Sequence, residues 1–188
     1  MKVRLSGIVE ESSVDGPGIR FVVFAQGCRH RCPDCHNPQT HPFDGGVLME
    51  VDEIMNRLRG SPLSDGVTLS GGDPFEQADA FAGLADRARD RGYDVVTYPG
   101  WRYEEILARD DPGWRRLLEA TDILVDGRFE LSLKNDLLPF RGSSNQRMID
   151  VQRSLKNNRQ SKPIEISISE TSVSEIPIAT DSTNPSRL

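Results

Sequence analysis

The sequence predicts an α/β fold, built as an open, mostly parallel sheet or as a partial (βα) barrel. Three observations carry this expectation. Short runs rich in Val, Ile and Leu alternate with segments whose apolar residues recur at helical spacing, an order that generates right-handed βαβ units. Gly, Pro and Asp punctuate the junctions. The 188 residues suffice for one folded unit with its own core, and they contain no internal repeat.

Residues 3–9 and 19–25 read as two strands joined through Asp15-Gly16-Pro17-Gly18. A loop holding all the cysteines follows directly. Val51, Ile54, Met55 and Leu58 share one helical face, and Gly60 is a suitable stop. Residues 67–70 read as a buried strand that runs into Gly71-Gly72-Asp73-Pro74, after which Phe81, Leu84, Ala85 and Ala88 mark a helix ending near Gly92. Residues 94–98 form the next strand, 103–107 and 114–118 are short helices, and 123–126 is a further strand. Ligands in such sheets bind at the carboxyl ends of the strands, where this order puts the cysteine loop and the Gly71-Gly72-Asp73 turn.

From about Ser154 the composition shifts to Ser, Thr, Asn and Pro, so residues 1–153 are expected to form the domain and 154–188 a disordered low-complexity tail. Ile164, Ile166 and Ile168 alternate with polar residues in a strand-like pattern that suits a sheet edge, but Pro163 and Pro177 bracket it.

A formal charge of -6 excludes nucleic acid as the expected ligand, because neutralising phosphates takes a clustered excess of Lys and Arg. No apolar run approaches the ~20 residues of a membrane span, and residues 1–10 lack the apolar stretch of a secretory signal. A cytoplasmic protein without membrane contact is expected. Three cysteines within eight positions suit a metal site in a reducing compartment better than a disulfide framework.

Cys28, Cys32 and Cys35 have the spacing C-x3-C-x2-C, which lets three thiolates from one short loop converge on a compact centre. Spacing alone leaves two centres open. A 4Fe-4S cubane held by three cysteines keeps one iron free for a non-protein ligand. A Cys3His zinc site completed by His30, His36 or His41 would instead make a non-catalytic binding module.

Asp15-Gly16-Pro17-Gly18-Ile19-Arg20, Gln26-Gly27-Cys28 and Cys35-His36-Asn37-Pro38 resemble the amino-terminal signature of radical S-adenosylmethionine enzymes that activate glycyl-radical enzymes. Thr68 to Pro74, Leu124-Val125-Asp126-Gly127 and Arg141 to Arg147 are most similar to the activators of anaerobic (class III) ribonucleotide reductase. The similarity spans about residues 1–151. It implies the 4Fe-4S cluster on Cys28, Cys32 and Cys35, with S-adenosylmethionine chelated at the open iron. It also implies an oxidoreductase that cleaves this cofactor to a 5'-deoxyadenosyl radical, which takes hydrogen from a glycine of the partner. That partner is anaerobic ribonucleoside-triphosphate reductase, and the electron comes from a carrier such as a flavodoxin or ferredoxin. An activator of pyruvate formate-lyase or another glycyl-radical enzyme is the alternative within the family.

By the same resemblance Gly71, Gly72 and Asp73 receive the methionine amino group, with Asp in place of the family's Glu. From its residues alone, Asp73-Pro74 followed by Glu76 is equally a helix start, with an N-cap and Pro at N1. Asp15 to Gly18 is expected to be a turn first and part of the site's mouth second. His36 and Asn37 are expected to bond within the loop, and the hydroxyl and amide groups of residues 142–145 to bind ribose, adenine or the partner's backbone. Two positions depart from the pattern. Asp34 stands where many members carry an aromatic, and Pro99 in Tyr98-Pro99-Gly100 replaces a Thr, removing a hydroxyl and a backbone donor.

Overall fold

The computed structural model describes residues 1–157 and 162–167. Its strands are β1 (Lys2–Ser12), β2 (Arg20–Ala25), β3 (Val47–Glu50), β4 (Gly66–Gly71), β5 (Asp94–Thr97), β6 (Ile123–Asp126), β7 (Arg147–Asp150) and β8 (Ile164–Glu165). They form one open sheet in the order β3-β1-β2-β4-β5-β6-β7-β8. Its centre is parallel, β2 to β4, β4 to β5 and β5 to β6. Both flanks are antiparallel. The sheet is therefore mixed rather than mostly parallel. The parallel neighbours are joined by crossovers that contain α1 (Val51–Arg59), α2 (Ala78–Arg89), or α3 (Tyr103–Ala108) with α4 (Pro112–Glu119). No crossover helix separates β1 from β2 or β6 from β7, so those strands turn back on their neighbours.

The expected helix α1 forms with Val51, Ile54, Met55 and Leu58 at most 2% exposed along one stripe. Asp52 and Glu53 lie in its first turn and Arg57 and Arg59 in its last, so their charges complement the helix dipole. Burying each large apolar side chain stabilises the fold by roughly 1.5–3 kcal/mol. The helices cover one face of the sheet, while alternate strand residues face the other. Val95 and Leu124 join the helix-side core; Val96, Ile123, Val125 and Met148 form a second cluster under Tyr98, Phe140 and Ile166. The segment 13–19 folds over this second face, where Thr68 Oγ1 donates to the Asp15 carbonyl at 2.8 Å.

The division after Arg153 falls inside α5 (Val151–Lys156). Ser154 is buried, and its Oγ accepts the Ile164 N–H at 2.8 Å, which seats β8 antiparallel on β7. Ile164 and Ile166 of the alternating pattern thus pack on the sheet; Ile168 and the remainder of the expected tail lie outside the described residues. Among the described residues no helix is long and apolar enough to cross a membrane.

Candidate active site

A cavity of about 550 Å3 opens at the carboxyl ends of β2, β4, β5 and β6. Each strand hands it a segment: the cysteine loop after β2, Ser70 to Gly72 at the end of β4, Tyr98 to Gly100 after β5, and Gly127-Arg128 after β6. Residues 13–15 and 138–142 flank the opening.

The cysteine loop is closed by its own backbone. Gly27 N–H donates to the Thr40 carbonyl at 2.7 Å, and Cys28 N–H donates to the His41 carbonyl at 3.1 Å. The Gln26 side-chain amide donates across the base to the Gln39 and Pro42 carbonyls at 3.2 and 2.6 Å. Arg31 and Asp34 adopt left-handed backbone at φ 49° and 50°, which curls the segment so that all three cysteines face the cavity. Asp tolerates this conformation better than an aromatic does, which accounts for the residue at position 34.

Burial pushes the Cys28 thiol up to about 11, and the nearby charges of Asp73 and Cys32 add to the effect, while backbone N–H groups of His30 and Arg31 oppose it. Burial and then Cys35 also push Cys32 up, against the pull of Arg128. Burial therefore disfavours free thiolates at Cys28 and Cys32. Among the described residues no three His, Cys, Asp or Glu side chains are gathered at single-ion distance. Of the histidines considered for zinc, His30 is engaged by Asp73 at 3.0 Å and His36 packs on Phe129 at 5.0 Å.

Gly71 and Gly72 reach the cavity wall. A Cβ on Gly72 would stand 2.4 Å from the Gly27 carbonyl oxygen, so close backbone packing of the two loops alone demands glycine. Asp73 is not part of the wall. Its carboxylate is fully buried; Oδ1 accepts the Phe75 N–H at 2.9 Å, and Oδ2 accepts from His30 Nε2 at 3.0 Å and the Gly100 N–H at 3.2 Å. Its N-cap role is realised, on a 3-10 turn (Pro74–Gln77) that precedes α2.

Residues 142–146 also work within the protein. Gln146 Oε1 accepts the Gly142 and Ser143 N–H groups at 2.9 and 3.2 Å, and Gln146 Nε2 donates to the Gly127 carbonyl at 3.1 Å. Asn145 Nδ2 donates to the Arg128 carbonyl at 2.8 Å, so this loop fixes the segment that carries Arg128. Among the described residues, three buried polar atoms of the wall have no protein partner: His41 Nε2, the Tyr98 hydroxyl and Arg141 Nε. Burial and then the charge of Asp15 push the Tyr98 phenol upward, which keeps it a neutral hydroxyl. Sequence reasoning singled out neither Tyr98 nor Arg128 as a polar wall residue, because only the closure of the 128–146 segment makes them so. Such orphaned groups fit a polar organic ligand beside the thiols.

A family described as a 4Fe-4S single cluster domain matches residues 14–149. The anaerobic ribonucleoside-triphosphate reductase-activating protein of Escherichia coli K12 is 35% identical over 142 residues, covering 71% of this chain and 89% of that one. The chain belongs to the reductase-activating protein family. Its similarity to the protein of that name from Enterobacteria phage T4 is 33% over 142 residues, covering 72% and 86% of the two chains. The pyruvate formate-lyase-activating enzyme of Clostridium pasteurianum is 38% identical over 117 residues, covering 57% of this chain and 49% of that one. The reductase-activating proteins are thus matched along most of their length, and the matched span contains the cysteine loop and every strand end that builds the cavity.

Proposed function

We propose that this protein activates anaerobic ribonucleoside-triphosphate reductase by generating a glycyl radical on it. Cys28, Cys32 and Cys35 hold a 4Fe-4S cluster, and S-adenosylmethionine fills the cavity beside it. When bound, the pair would supply one-electron cleavage of the sulfonium C–S bond, the electron coming from an external one-electron carrier, to give methionine and a 5'-deoxyadenosyl radical that takes a hydrogen atom from the reductase's glycine. The observation that carries this reading is the set of three thiols, without a fourth cysteine in the chain, on one wall of a cavity large enough for the cofactor.

The residues of the chain bind, orient and exclude water. Arg128, close enough to Cys32 to lower its thiol, offers a cation to the cofactor's carboxylate. Gly71 and Gly72 let the ligand approach backbone at the end of β4. The Tyr98 hydroxyl and His41 Nε2 offer partners to its polar groups. Val14 and residues 138–140 border the mouth and restrict water when the glycine-bearing segment of the reductase covers it.

The test is anaerobic reconstitution with iron and sulfide, followed by S-adenosylmethionine, a one-electron reductant and the reductase. A glycyl-radical resonance on the reductase, with one methionine formed per radical, is expected. Methionine release without that radical, or radical formation only on pyruvate formate-lyase, overturns the assignment of the partner.

A further inference from the structure

We propose that Asp73 is a positioning residue of the metal centre: through His30 it holds the cysteine loop in the form that presents Cys28 and Cys32 to one cluster. This deepens the reading above and rests on it for the identity of the centre.

The segment between Cys28 and Cys32 is gripped twice by the turn that follows β4. Arg29 pairs with Glu76 through Nε and Nη2, both at 2.5 Å. One residue on, His30 places Nε2 3.0 Å from Asp73 Oδ2; the two side chains are 3% and 0% exposed. A carboxylate only accepts, so the imidazole presents Nε2–H to it. The ring is also walled in. Trp101 meets it edge-on at 4.6 Å between centroids, and a Cβ on Gly100 would lie 2.1 Å from a ring carbon. Gly100 therefore lacks a side chain because His30 occupies that space, and its N–H completes the shell of Asp73. His30 lies between Cys28 and Cys32, whose thiols both line the cavity, so a ring held in this way holds the backbone that carries them. Groups behind the ligands that fix their place orient them and tune the metal.

A direct bond from Asp73 to the cofactor has no such support, because the carboxylate is enclosed and absent from the cavity wall. The two roles predict different pairings of variants. Asp73→Asn keeps an oxygen for the Phe75 N–H but replaces the other with an amide that accepts from neither His30 nor Gly100. His30→Leu removes the same bond from the other side without touching the cap. His30→Gln restores an N–H donor near the position of Nε2.

Four measurements separate the readings: amide hydrogen exchange of residues 28–35 in the metal-free chain, the rate of iron loss to a chelator after reconstitution, the electron paramagnetic resonance line shape of the reduced cluster, and the affinity for S-adenosylmethionine per loaded cluster. Asp73→Asn and His30→Leu should each speed iron loss about tenfold or more, shift the line shape alike, and hasten exchange in 28–35 but not in the strands. The double variant should be no worse than either single one, and His30→Gln should recover most of the loss. Affinity for S-adenosylmethionine per loaded cluster should stay within twofold of wild type. Wild-type exchange and iron retention in both variants, or additive losses in the double, overturn the clamp; weakened cofactor affinity confined to Asp73→Asn replaces it with a direct contact. If Asp73→Asn fails to fold, the two His30 variants decide. Should wild type take up no iron–sulfur cluster, the proposed function falls, while exchange in the metal-free chain still decides whether the clamp exists.

Discussion

Arg20 reaches Asp94 beneath the sheet, its Nη1 2.6 Å from Oδ1 and its guanidinium fully buried. Nε also donates to Thr68 Oγ1 at 3.1 Å and Nη2 to the Val67 carbonyl at 2.9 Å, so one side chain ties the starting ends of β2, β4 and β5 together. Burial pushes the Asp94 carboxyl up, and Arg20 opposes that shift. Those ends lie opposite the cavity, which makes the pair part of the scaffold rather than of the chemistry.

Removing one partner of a buried pair leaves an uncompensated charge. Arg20→Met should lower stability by about 3–5 kcal/mol in urea unfolding of the metal-free chain. Arg20→Met with Asp94→Asn should lose less than Arg20→Met alone. A single variant within about 1 kcal/mol of wild type would show the pair to be idle.

Iron and sulfide should each approach about four per chain after anaerobic reconstitution, by the stoichiometry of a cubane. Replacing Cys28, Cys32 or Cys35 with Ala should abolish cluster retention in each case. One zinc per chain and no acid-labile sulfide would refute the cluster.

The hydrogen bonds from Arg147 hold the Glu104 carboxyl below the usual carboxylate range, against a smaller effect of burial. A carboxyl lowered on folding contributes stability above its unfolded value, near about 4, and that contribution is lost as pH falls through the lower, folded value. Glu104→Gln should therefore flatten the fall in urea midpoint between about pH 5 and pH 3, while changing it less at pH 7. Parallel curves for the two proteins would contradict the assignment.

Ending the chain after Arg153 removes the last turn of α5, the partly buried Leu155 and Ile166, and the strand that Ser154 holds. Measured against a chain ended after Ser167, the shorter one should lose about 2–4 kcal/mol, from the partly buried side chains of Leu155, Ile164 and Ile166 and the β8 ladder. Equal urea midpoints would mean that β8 adds nothing to the fold.

Gly72→Ala forces a Cβ against the Gly27 carbonyl oxygen, which is backbone and cannot swing aside. A loss of about 1–3 kcal/mol is expected even in the metal-free chain. Wild-type stability with impaired cofactor binding would mean that Gly72 serves the ligand alone.

Local pattern made much of the fold readable. Strand β6 covers the span expected from its apolar run, and α1 and α2 follow stripes of apolar residues at helical spacing. Strands β3 and β7 and helix α5 carry too little local signal to be read, because each is only four to six residues long and gains its stability from a neighbour. In β3 two of four residues are exposed, so it carries no alternating signal. Likewise the antiparallel flanks are a property of chain return, which composition does not encode.

By itself the sequence determined the three thiols, their spacing, and their place at the carboxyl ends of parallel strands, because these depend on residue type and on short-range order. Tertiary structure decided what Asp73 touches. A carboxylate after two glycines suits a ligand or a helix cap equally well, and only the arrival of His30 and Gly100 from 43 and 27 residues away in the chain encloses it. The same holds for the Tyr98 hydroxyl, whose burial, without a partner among the described residues, depends on the packing of distant segments around it. Long-range packing sets which polar atoms are satisfied and which remain for a ligand, and no local pattern carries that information.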